Sequence, residues 1–126
     1  MGPRRIQRKR TRGWRMPAGA VYVGRPSRWG NPNGPVFSLG QAGRRVARRY
    51  EAEVAMYADM LCRSWQGWAL QRVARRDLRG RDLVCWCPRD RPCHADYLLV
   101  CANTTGRVFT SVATLEAAVR RWRRTH

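Results

Sequence analysis

The chain has 126 residues, 44% of them hydrophobic, and carries 26 basic side chains against 8 acidic ones, a formal charge of +18. That size and hydrophobic fraction suit one domain with a real core, and the lack of any run of about 18 apolar residues excludes a transmembrane helix. The basic N-terminus is not followed by an apolar secretory segment, and five cysteines, clustered and odd in number, do not read as a secreted disulfide framework. A reducing cytoplasm is the expected setting. The charge favours a polyanionic partner, because each basic side chain that meets a phosphate releases a counterion. Lys9 is the only lysine, which points to a GC-rich coding bias. Such a bias explains arginine over lysine, but not the shortage of acids. Affinity for nucleic acid of some kind is therefore expected, without sequence specificity.

Residues 1–5 read as a basic frayed arm, followed by a strand near Ile6 to Arg10. Gly13 to Gly19 is a turn, and Ala20 to Val23 a short buried strand. The strand runs into a loop, Gly24 to Pro35, whose glycines, prolines and asparagines forbid a helix. On it Arg25, Ser27, Trp29 and Asn31 suit an anion plus a flat ring, guanidinium for phosphate and indole for a base. The competing reading has Trp29 capping the core. From Gly40 the period becomes helical, with Val46, Tyr50, Val54, Tyr57 and Leu61 on one face and Arg44, Arg45, Arg48 and Arg49 on others. This helix runs to about Ser64, Trp65-Gln66-Gly67 interrupts it, and a second spans Trp68 to Arg76.

Leu83 to Trp86 reads as a strand and His94 to about Ala102 as a helix, with Ala95, Leu98, Leu99 and Ala102 inward. Val108-Phe109 is predicted as a short edge strand. A last helix, capped by Thr110 or Ser111, carries a stripe of Val112, Leu115, Val119 and Trp122. Arg120, Arg121, Arg123 and Arg124 near its end suit the dipole and read first as a solvated face. Residues 1–126 form a single compact α/β domain: a small, mainly parallel sheet of three or four strands with helices packed on it.

Between strand and helix lies Cys85-Trp86-Cys87-Pro88-Arg89-Asp90-Arg91-Pro92-Cys93-His94, spaced C-x-C-x5-C-H. Three readings compete. Cys85, Cys87, Cys93 and His94 supply the four S/N donors that zinc takes. Against zinc, C-x-C on a regular strand extends two side chains in parallel, and adjacent helical residues diverge by about 100°. The second reading is a reactive thiol: Cys93 at a helix start, its pKa lowered by dipole and cations, with His94 or Asp96 as acid or base. The third is plain packing of small cysteines under Trp86. Cys62 and Cys101 read as core.

Gly13-Trp14-Arg15-Met16-Pro17, Val21 to Ser27, Trp29-Gly30-Asn31-Pro32, and Leu78 through Cys85-Trp86-Cys87-Pro88 to Pro92-Cys93-His94-Ala95-Asp96 together resemble an uncharacterised domain family of bacteriophages and bacteria, classed only as of unknown function. The resemblance covers about residues 5 to 103, taken as a family core over 6–103, and leaves 104–126 as a C-terminal helix extension. It implies a small phage or actinobacterial protein, in the host cytoplasm if phage-encoded, and brings no activity. A second uncharacterised α/β family is similar at the Cys-His loop, with a carboxylate in place of Cys87, still a metal donor. If the strands before the two loops are parallel neighbours, Arg25, Ser27, Trp29 and Asn31 face Cys93 and His94 across one pocket. The expected function is an accessory protein binding a nucleotide or nucleic acid there. The alternative is a zinc-stabilised basic module that docks on nucleic acid or host protein without chemistry.

Overall fold

A computed structural model describes residues 2–31 and 44–126, with the side chains of 44–51 left out of account. Three strands, β1 (Arg5–Gln7), β2 (Val21–Tyr22) and β3 (Leu83–Cys85), and four helices, α1 (Arg44–Arg63), α2 (Trp65–Asp77), α3 (His94–Asn103) and α4 (Val112–Thr125), make up the fold. The sheet is all parallel in the order β1-β3-β2, which is the α/β architecture expected, with three strands. β3 takes the centre because Leu83, Val84 and Cys85 are apolar in succession, the pattern of a strand covered on both faces. Register pairs Ile6 and Tyr22 with Val84. Arg8 N–H to Cys85 O (2.7 Å) and Val23 N–H to Val84 O (2.9 Å) carry the ladders past the strand ends.

Side chains alternate across the sheet. Arg5, Val23, Leu83 and Cys85 turn towards α3, whereas Ile6, Tyr22 and Val84 turn away. α3 is the hub. Every residue from His94 to Ala102 is buried, as a helix surrounded by partners must be, and it touches α1, α2, α4, β1 and β3. α4 packs on it through Leu115 and Val119, the middle of the expected stripe, with the Ser111 hydroxyl accepting from Thr114 N at 3.3 Å. Cys62 and Cys101 are core thiols, pushed up by burial to about 11 and about 12.

Four boundaries differ from the sequence reading. β1 begins at Arg5, whose backbone and side chain are both engaged, so the residue placed in the frayed arm is part of the sheet. That strand also ends at Gln7 rather than near Arg10. Gly67 does not break a helix: α2 starts at Trp65, capped by the Ser64 hydroxyl, which accepts from Gly67 N at 3.0 Å. The glycine is there for closeness, since a Cβ on it would stand 2.0 Å from Met60 O. Val108-Phe109 adds no strand to the sheet. Instead the buried Gln71 carboxamide accepts from Phe109 N and donates to Phe109 O and Leu61 O, all at 2.8 Å, doing what a neighbouring strand would do. The helix start from Gly40, the side chains of Arg44, Arg45, Val46, Arg48, Arg49 and Tyr50, and the loop beyond Asn31 lie outside the described residues.

Two substitutions probe this packing. Gly67→Ala forces α1 and α2 apart and is expected to cost about 2 to 3 kcal/mol in urea melts. Gln71→Leu keeps the volume but strands three backbone groups, and a loss of about 2 to 3 kcal/mol is expected in the same assay.

Candidate metal centre

β3 delivers Cys85 on the α3 side of the sheet, and the chain leaves the strand at that residue. Trp86 and Cys87 lie in a bend, so Cys87 is not bound to extend parallel to Cys85. After Pro88 to Pro92 the chain returns to α3 with Cys93 as its N-cap, in extended backbone (φ −144°, ψ 154°) rather than in the helix. Both geometric objections to a metal are thus removed by irregular backbone. The sulfurs of Cys85, Cys87 and Cys93 lie within 4.8 Å of one another, all buried, and three such thiols can hold a metal ion. Cys85 Sγ is 3.4 Å from Cys93 Sγ.

His94 is not a member of this trio but stands against it, with Nδ1 3.4 Å from Cys93 Sγ. Its Nε2 is 2.8 Å from Val23 O. A carbonyl can only accept, so Nε2 carries the proton, and burial holds the pKa below the ordinary 6.5 despite that bond. The ring is therefore neutral and turns the Nδ1 lone pair to the cysteines, the orientation that a carbonyl partner gives a ligating histidine.

The thiols are not equivalent. Burial alone would raise Cys93, but S–H donation from Cys85 and Cys87, the Arg5 charge and the Ala95 N–H outweigh it and hold Cys93 well below the usual thiol range. Cys85, as the donor to both neighbours and buried besides, is pushed far up.

Asp96 fixes the loop to the rest of the molecule. Its Oδ2 accepts from Cys93 N (2.9 Å), closing a capping box, from Arg5 Nη1 (3.2 Å) and from Arg123 Nη1 (2.7 Å). Arg5 Nη2 also donates to Pro88 O at 2.8 Å, and Arg123 Nη1 to Arg91 O at 3.2 Å. Burial would lower the Arg5 pKa, but Asp96 and the cysteine sulfurs overcome that and raise it. The carboxylate that the sequence offered as an acid or base is a cap and an ion-pair partner. Arg5 and Arg123 are the residues that the sequence reading missed. For Arg123 a signal existed, since it continues the four-residue stride of Leu115 and Val119.

The second loop meets the first, at the carboxyl end of the sheet. Val23 bonds His94, and Tyr57 joins the two sides: its ring meets the His94 ring edge-on at 5.4 Å, and its hydroxyl donates to Trp29 O at 3.1 Å. Trp29 itself is 5% exposed, so it caps the core and offers no open indole face. Asn31 is buried, with Nδ2 on Glu53 O at 3.0 Å. Arg25 is exposed and donates from Nε to Asn31 O at 3.0 Å. The Ser27 hydroxyl is buried without a hydrogen-bond partner among the described residues.

A family model described as a domain of unknown function, DUF4326, matches residues 6–104. The chain belongs to this family. No curated protein and no solved structure matches it. The DUF4326 match contains the whole cysteine loop and stops before α4, so Arg123 reaches the site from outside the matched segment.

Arg5→Met leaves Asp96 buried with one cation fewer and is expected to destabilise the fold by about 3 to 5 kcal/mol. Protonation gives a second check. Between the lowered folded pKa of His94 and its unfolded value of 6.5, the unfolded chain binds a proton that the folded one does not. Stability is fully present above that window and falls as pH drops through it. In urea midpoints measured from pH 7 to about pH 5, His94→Gln is expected to flatten this slope.

Proposed function

We propose that the protein is a zinc-stabilised basic module that binds nucleic acid without catalysing a reaction. The observation that carries this reading is the buried trio Cys85, Cys87 and Cys93 with the neutral His94 Nδ1 beside it. Zinc takes thiolate and imidazole donors in a closed, four-coordinate site when its role is structural. Burial of all four residues suits such a site better than an open catalytic one. Charge agrees. Arg5 and Arg123 bring two positive charges to Asp96, and a single zinc with three thiolates, net −1, balances what the carboxylate leaves over. When bound, the metal supplies cross-linking between β3, the loop and the start of α3. Asp96 and Val23 hold the loop and the imidazole in place for it.

The nucleic-acid part of the reading rests on the charge of +18 and on the arginines that stay exposed. Arg25 and Arg28 at the surface of the Gly24 loop suit phosphates, while Trp29 and Asn31 support that loop from within. A reactive-thiol reading has one observation in its favour, the lowered Cys93 pKa. A sulfur with no exposed surface is poorly placed to meet a substrate, which sets it second.

Protein purified without added chelator is expected to contain about one zinc per chain, and chelation to lower Tm by 10 °C or more or unfold it. Cys87→Ser and Cys93→Ser lose the metal, whereas Cys62→Ser retains it. Metal-free protein whose Cys93 alkylates rapidly at neutral pH would replace this reading with the thiol one. Binding to single- and double-stranded oligonucleotides should weaken steeply between about 50 and 200 mM salt, and a flat response contradicts the electrostatic half.

A further inference from the structure

We infer that the sheet face turned away from α3 is a platform for single-stranded nucleic acid. This rests on the nucleic-acid half of the reading above and is independent of the metal. Parallel sheets are ordinarily covered on both faces. Here, among the described residues, α3 is the one helix that touches the strands, and it does so on the side of Arg5 and Cys85. On the opposite face no described helix lies over the strands, yet Val84 at the centre is buried and Ile6 half-buried, and the outer layer carries Tyr22 from β2 and, just past the ends of β1 and β3, Arg8 and Trp86.

These side chains form a ladder across all three strands. The Arg8 guanidinium lies 4.9 Å from the centre of the Tyr22 ring and 5.0 Å from that of Trp86. Arg10 stands a further 5.0 Å from the Trp86 ring. Trp86 thus contacts two cations, and Arg8 bridges two aromatics. Both rings are part-exposed and both arginines exposed. Among the described residues no carboxylate pairs with Arg8 or Arg10, in contrast to Arg5 and Arg123 on the other side of the sheet. Lys9 and Arg12 continue the positive edge, and the Tyr22 hydroxyl, donating to Arg25 O at 2.7 Å, ties the ring to the next exposed arginine.

The partner follows from this chemistry. Aromatic rings and guanidinium planes stack on nucleobases whatever the sequence, and unpaired arginines meet the phosphates between them. A duplex hides its base faces and would use the charge alone. An acidic protein would also use the charge but has no need of the rings. Trp86 stands between Cys85 and Cys87, so the loop that gathers the thiols also sets the position of the platform's central ring.

The test is a fluorescence titration of the protein as purified with a 12-nucleotide single strand and with the matching duplex. Wild type should favour the single strand, with tryptophan quenching. Trp86→Ala and Tyr22→Leu should each weaken single-strand binding about tenfold or more while leaving the salt slope and duplex binding nearly unchanged. Arg8→Gln should weaken binding and reduce the slope by about one. Arg121→Gln and Arg124→Gln on α4 should have little effect. Since Trp86 adjoins the cysteines and Tyr22 precedes Val23, whose carbonyl holds the His94 ring, zinc content and melting are checked for both variants. Single-strand binding that is salt-dependent yet indifferent to Tyr22→Leu and Arg8→Gln, or tighter binding to the duplex, overturns the platform and leaves the nucleic-acid reading standing. No binding to either strand form overturns both.

Discussion

The structure depends on one carboxylate oxygen. Asp96 Oδ2 gathers the Cys93 amide, the buried Arg5 guanidinium and the Arg123 guanidinium, and in doing so joins the start of α3 to β1 and to the end of α4. None of these groups tolerates burial alone. A buried arginine without its carboxylate, or a capping carboxylate without its cations, leaves an uncompensated charge, and that costs more than the intact pair gains. Breaking the buried Arg5–Asp96 pair is therefore costly, which suits a loop that must hold three thiols in register. Arg5 also completes the loop by donating to Pro88 O, so the edge strand and the cysteine hairpin are set by the same side chain.

From that anchor the site divides into roles. Cys85 belongs to the sheet, Cys93 to a helix cap and Cys87 to the bend between them, so a metal held by all three would cross-link elements that the Arg5–Asp96–Arg123 network already ties together. Val23 brings in the loop after β2 by orienting His94. The two loops follow adjacent parallel strands and converge at the carboxyl end of the sheet, where α/β proteins commonly place their sites. What converges is closed. Trp29 and Asn31 support Tyr57 and α1 rather than lining an open cleft, and the half-buried Tyr22 and Trp86 with the exposed Arg8 and Arg10 lie on the other face of the sheet.

Much of this was legible in the sequence. The apolar run Leu83 to Cys85 and the period of Ala95, Leu98, Leu99 and Ala102 fix the central strand and hub helix, and C-x-C-x5-C-H marks the cluster. Two kinds of feature were hidden. Backbone irregularity was one: a bend at Cys87 and an extended cap at Cys93 have no side-chain period, so spacing rules argued against a geometry the chain adopts easily. Long-range polar partnership was the other. Arg5 looked like one more cation in a basic arm, because no local pattern reveals that Asp96, 91 residues on, stands opposite it. Gln71 was likewise unremarkable until Phe109 lay beside it, and Gly67 read as a breaker when it is a point of close approach.

The central claim is that three thiols and one imidazole form a metal site. X-ray absorption at the zinc edge of the purified protein tests it directly. Three sulfurs at about 2.3 Å and one nitrogen at about 2.0 to 2.1 Å are expected, the nitrogen disappearing in His94→Gln. A shell of oxygen and nitrogen without sulfur, or a protein with no bound metal and Cys85 joined to Cys93 as a disulfide, would contradict it.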